Sequence, residues 1–320
     1  MKHNTIVILA LIVATSLSGA MAAVVVQERK TKKVTRVKRP EFTQRDWDGI
    51  YFENLFEEGL VGERPGKIAP GNAPSITADV DVVNNGNSGG SFAWSKYISG
   101  ETIENEVKSL QATLIKDITS PVKFKSEYKK SHQSFSMLSM LFGVIREYDS
   151  DVRWKKYAGV AQASFERAAA NARVGTSQAY ESCKRRRGDL EELVRGGNFP
   201  SSDPAPETLD WSSVVLHSPL MFRLQTSDAL LKQMTANKGD FTKSIDKVYH
   251  ESELVAAMAQ TLIRENMYNA DDDGYREYAK AMSSAASKVT HACKNQDYEA
   301  ASAAVNLISQ SCDNCHDDWK

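Results

Sequence analysis

The sequence predicts an all-α protein, built as two tandem antiparallel four-helix bundles behind an N-terminal export or anchoring segment and an irregular stretch. Three observations predict it. Residues 93–195 and 211–320 show no strand alternation, and their apolar residues recur at helical steps. Caps and short polar turns divide each block into four segments of helical length. The blocks also repeat each other. His132-x-Ser134-(five)-Met140-(four)-Ile145-Arg146-Glu147 recurs without a gap as His250-x-Ser252-(five)-Met258-(four)-Ile263-Arg264-Glu265. Upstream, TLIKDITS (113–120) matches ALLKQMTA (229–236), and downstream WKKYA (154–158) matches YREYA (275–279). Fixed order and similar spacing mark a tandem duplication.

Residues 1–26 are a signal peptide or a membrane anchor. A short start with one lysine precedes an uncharged run from Thr5 to Val26. Ala20-Met21-Ala22 has the small-x-small pattern of a cleavage site. The same run is long enough to span a bilayer, which takes roughly 20 residues. Both readings stand. Residues 27–92 then hold a basic arm, QERKTKKVTRVKRP (27–40), which suits anionic lipid beneath an anchor or a solvated arm without one. An aromatic cluster (Trp47, Tyr51, Phe52, Phe56) and a Gly, Asn and Ser-rich tether over 71–91 follow.

The first block, 93–195, offers helices near 101–118, 122–148, 151–171 and 177–194. Gly and Pro in RGGNFPSSDPAPETLD break the pattern and make 196–210 a linker. In the second block, 211–320, Ser218 with Pro219 predicts an N-cap and first helical residue, for a helix running to about Ala236. Gly239-Asp240 opens a second helix from Phe241 to about Glu265, with Ile245, Val248, Leu254, Met258 and Leu262 on one stripe. NADDDG (269–274) caps a third helix from Asp273 to Cys293, as DSD (149–151) does in the first block. NADDDG begins like a calcium loop, but its twelfth position is Lys280 rather than Glu. Asp297 caps the fourth helix, where Tyr298, Ala301, Val305, Ile308 and Cys312 share a face.

Composition excludes some functions. With 41% hydrophobic and 25% charged residues and a net charge of −1, the chain reads as soluble and globular, with no electrostatic case for nucleic acid. It contains no nucleophile–base set and no Gly-rich phosphate loop, so no enzyme is expected. The chemistry lies in Cys312-Asp-Asn-Cys315-His316 near the C-terminus. C-x-x-C-H is the attachment signature of c-type haem. Two vinyl groups on one edge of the macrocycle need two thiols about one helical turn apart, and the adjacent histidine serves as an axial ligand. A thioredoxin-like pair needs a βαβ setting, and a zinc site needs a second ligand pair; neither is evident. A plain disulfide stays open.

The closing stretch CDNCHDDWK, at the end of a four-helix bundle, resembles the cytochrome c prime family, with Trp319 and Lys320 in its aromatic and basic places. The resemblance covers 211–320 and reaches 93–195 only through the repeat. It implies one covalent haem c, Cys312 and Cys315 as thioether donors, and His316 as the proximal iron ligand. The family packs apolar residues of the first helix over the other face of the iron, and some relatives place a methionine there. The duplication serves as a control, because the first block carries LVRGGN where the second has SCDNCH. Residues common to both blocks are therefore structural: His250 with His132, Met258 with Met140, and Met234 opposite Ile118. Met221 aligns near Asn105 and belongs to the second block alone, which makes it the candidate sixth ligand. Its spacing to Arg223 departs from the arginine-then-methionine order of the family.

The expected function is electron transfer by an exported c-type cytochrome, periplasmic or anchored through residues 5–26. The alternatives are nitric oxide or carbon monoxide binding, and a haem-bearing assembly subunit of a membrane complex. Expected partners are a redox protein, the membrane at the N-terminus, and a second copy of the chain forming a homodimer. Cys183 and Cys293 either pair across the blocks or remain free.

Overall fold

A side-chain oxygen opens most helices of the computed structural model, which describes residues 92–200 and 205–319. Among these residues the chain is all-α, with nine helices and no strand. Ser99 caps α1 (Gly100–Asp117), Ser120 caps α2 (Pro121–Glu147), and Thr176 caps α4 (Ser177–Val194). α3 is Ala158–Asn171. Asp210 opens the single turn α5 (Trp211–Val214), and α6 is His217–Met234. Asn237 caps α7 (Lys238–Leu262), Asp272 caps α8 (Asp273–Lys294), and Asp297 caps α9 (Tyr298–Asp318). In each case the cap accepts an N–H that the first turn leaves without a partner.

Four expectations need correction. α6 starts at His217 with Leu216 at its cap, so Ser218 sits inside the first turn and caps nothing. α3 starts at Ala158 rather than 151, because Trp154 takes a left-handed conformation (φ 69) that no helix continues. Burial explains that choice: the Trp154 ring is 8% exposed and its Nε1–H donates to the Leu193 carbonyl. Asp149 accepts from the Ser95 N–H and hydroxyl, so DSD ties down the N-terminal turn Trp94–Lys96 instead of capping a helix. α7 stops at Leu262, short of Glu265, and turns through left-handed Asn266 and Asn269.

Consecutive helices pack on each other within each block, and the last returns to the first. Across the blocks, α1 packs on α7 and α2 on α6, so the first helix of each block meets the second helix of the other. One buried apolar cluster runs through both. Glu147 is the polar centre of the seam. Its carboxylate accepts from Trp94 Nε1 (3.2 Å), Trp211 Nε1 (3.3 Å) and Arg264 Nη2 (3.1 Å). The Arg264 guanidinium also lies 4.5 Å from the centre of the Phe92 ring. Between the blocks, Phe199 is buried against Phe165, and Arg146 donates to the carbonyls of Pro206 and Glu207.

The segment 1–26, the basic arm, the aromatic cluster 47–56, the tether and Lys320 lie outside the described residues. Among those described, no helix is long and apolar enough to cross a membrane.

Candidate functional site

α9 runs seven residues beyond its last buried apolar side chain on the core face, Ile308, before reaching Cys315. The first block has no such extension. There α4 ends at Val194, and Gly196 (φ 95) turns the chain away. The extension presents Cys312, Cys315 and His316 to a cleft of about 510 Å³. α6 supplies Met221, Phe222, Leu224 and Asp228 to the same cleft, α7 supplies Leu262, and α8 supplies Tyr275, Tyr278, Ala279 and Met282. All four expected site residues, Met221 included, therefore line one space.

The two blocks also differ in core composition. By the alignment of the repeats, Phe142 and Phe165 of the first block stand where the second has Gln260 and Ala286. Both phenylalanines are fully buried, their ring centroids 5.2 Å apart, and Phe142 also meets Trp154 at 6.1 Å. Aromatic rings fill the centre of the first block, whereas Gln260 and Ala286 take those places in the core of the second.

The electrostatics of the motif differ from those of a reactive thiol pair. Burial pushes the Cys312 thiol up to about 11, and the carboxylates of Asp228 and Asp313 add to the effect. Burial and Asp318 raise Cys315 as well. Redox-active thiols are instead lowered by cationic surroundings. Asp228 is held by Ser309 (2.6 Å) and Lys232 (2.8 Å). Among the described residues, no three His, Cys, Asp or Glu side chains converge to hold a bare metal ion. A metal that arrives inside a macrocycle brings four nitrogen donors and needs only an axial ligand from the protein. Two thiols and one imidazole on one apolar-lined cleft fit that group.

The sequence singled out Trp319, but two residues around it, Gly274 and His217, were missed. Trp319 turns back edge-on to Tyr275 (6.0 Å) and Tyr278 (5.7 Å), and Tyr278 donates to Asp318 at 2.9 Å. Gly274, the last residue of NADDDG, makes room for this, since a Cβ there would lie 2.8 Å from Trp319 Cη2. His217 approaches the Tyr275 hydroxyl at 3.3 Å, and burial, then the charge of His316, hold its imidazole below the ordinary histidine range. The pairing of Gly274 with a residue far along the chain leaves no local signal. His217 was masked by the expected cap at Ser218.

The residues shared by both blocks lie elsewhere. Met258 and Met140 are fully buried in the core. His132 bonds the Ala169 carbonyl, and His250 bonds Glu106 of the first block. Cys183 and Cys293 are free thiols, each buried in its own block. Burial pushes each up to about 12.

No family model, curated protein or solved structure matches this chain. The class that fold and site define is an all-α chain with a C-x-x-C-H on the wall of a helix-lined cleft.

Proposed function

We propose that this chain is an exported c-type cytochrome that carries one covalent haem in electron transfer. Cys312 and Cys315 are its thioether donors and His316 the proximal iron ligand. The observation that carries the reading is the convergence of the whole motif on one cleft with α6, α7 and α8. Bound there, the iron supplies a one-electron couple. α9 sets the two thiols one turn apart, the spacing that two vinyl groups require. Leu224, Leu262, Ala279 and Met282 exclude water from the interior wall. Met221 offers a soft thioether from α6 as sixth ligand.

The same apolar wall favours a second reading, the binding of nitric oxide or carbon monoxide by a five-coordinate iron. Absorption spectra of the oxidised and reduced protein, with pyridine in alkali, test both. A haem c spectrum at one per chain is expected, lost in Cys312→Ala/Cys315→Ala. A normal-looking protein with no such spectrum rejects the proposal. A Soret shift of the reduced protein under carbon monoxide favours gas binding, and Met221→Leu abolishing a low-spin spectrum favours electron transfer.

A further inference from the structure

Of the four helices that line the cleft, α6 is the one that opens without a side-chain cap. Its cap position is Leu216, which has no side-chain oxygen, and its Phe222 and Leu230 are exposed. Asp228 ties the helix to Ser309 of α9, and Arg223, between the cleft-lining Phe222 and Leu224, is its polar tie to both blocks. Arg223 Nη1 and Nη2 donate to the two oxygens of Glu251 on α7 (2.8 and 3.0 Å). Nε and Nη2 donate to Glu106 Oε1 (3.3 and 3.2 Å), and Nη1 donates to Ser227 Oγ (2.5 Å). Ser227 in turn donates to Glu251 (2.8 Å), and His250 holds the other Glu106 oxygen at 3.0 Å.

Four of these five residues belong to the second block. Glu106 comes from α1 of the first, where its side chain is 7% exposed. A guanidinium gripped by two carboxylates in a fork has little freedom to slide. Losing one partner of such a buried set leaves charge without compensation, so the helix carrying it must shift or loosen.

We propose that Glu106 is a positioning residue for the cleft. The first block, which lacks the C-x-x-C-H, grips Arg223 across the seam and holds α6 in register against α7 and α9. This rests on the haem reading for what the cleft does, and not for the grip itself.

Hydrogen exchange by mass spectrometry on the full chain tests the grip. Glu106→Gln is compared with Glu104→Gln, a change on the same helix whose partners, Lys108 and Arg153, lie in the first block. Glu106→Gln is expected to speed exchange over residues 217–234 about tenfold, with 158–194 unchanged. Glu104→Gln leaves 217–234 as in the parent. Exchange over 217–234 at the parent rate, or a rise spread evenly over all helices, overturns the grip. Should Glu106→Gln fail to fold, Ser227→Ala removes one bond from the same guanidinium and should show the same local pattern at smaller size; a parental pattern there also overturns it. In haem-loaded protein, Glu106→Gln should alter the carbon monoxide difference spectrum of the reduced form, and Glu104→Gln should not. A loosened α6 with an unaltered spectrum overturns the link to the cleft. If the alkaline pyridine spectrum shows no haem, the proposed function fails, while exchange still decides the grip.

Discussion

Single residues at the cleft carry constraints that a reading of helical stripes does not reach. Gly274→Ala puts a methyl group 2.8 Å from the Trp319 ring, so the ring or the backbone must move. The expected cost is about 1–3 kcal/mol, read as a lower urea midpoint together with a changed tryptophan emission. An unchanged midpoint and emission would show that the C-terminal turn does not hold Trp319 in place. Glu106 makes a second prediction. Burial alone would raise its carboxyl, but the His250 hydrogen bond and the Arg223 charge outweigh this and hold it below the usual carboxylate range. The folded state therefore binds its proton less readily than the unfolded chain. The stability it contributes is present above the unfolded glutamate value, about 4.3, and is lost as pH falls through the lower folded value. Urea midpoints measured from pH 7 down to 3 should fall steeply in the parent and less steeply in Glu106→Gln. Parallel acid limbs would refute the assignment.

At the scale of elements, caps decide how well each helix is fixed, and they decide how much of the fold can be read in advance. Asp297 was legible because a single acidic residue precedes a clear apolar stripe, and Asp272 because it sits in the acidic turn NADDDG; both accept an N–H at 3.0 Å. Ser218 misled because serine followed by proline is a strong local signal, while the helix begins at His217 and buries Pro219 and Leu220 in its first turn. Trp154 misled because its left-handed backbone is set by a distant carbonyl on α4. Cys312, Cys315 and His316 were legible as a motif, and Met221 by its absence from the first block. Arg223 was seen only as a departure from a family order, since its partner Glu106 lies in the other repeat. The cap argument has a direct test. Asp297→Ala frees the first turn of α9 and should cost about 1 kcal/mol. Ser218→Ala removes no cap and should stay within about 0.5 kcal/mol of the parent. Equal losses in thermal or urea unfolding would contradict the positions of the two helix starts.

For the whole molecule, the question is whether a duplicated chain behaves as two beads or as one body. The repeat and its Gly and Pro-rich joint read naturally as two units on a linker. The described residues of both blocks fall in one compact unit, with a continuous apolar cluster. The seam is also chemically committed. Glu147 of the first block serves Trp94, Trp211 and Arg264 together, and Glu106 serves Arg223 and His250. Opening the seam would take Arg264 and Trp211 from Glu147, and Arg223 and His250 from Glu106, so unfolding either block costs the other its cross-seam partners. Trp211 ties this polar seam to the core: it is 2% exposed, and its ring packs 5.5 Å from Trp94. Urea unfolding should therefore be a single transition, with far-UV circular dichroism and tryptophan fluorescence sharing one midpoint. Trp211→Ala should lower stability by about 3–5 kcal/mol and separate the two probes, because the blocks then lose their common core before their own. Two transitions in the parent protein, or a Trp211→Ala variant that loses stability while its probes still coincide, would show that the coupling lies elsewhere than in this seam.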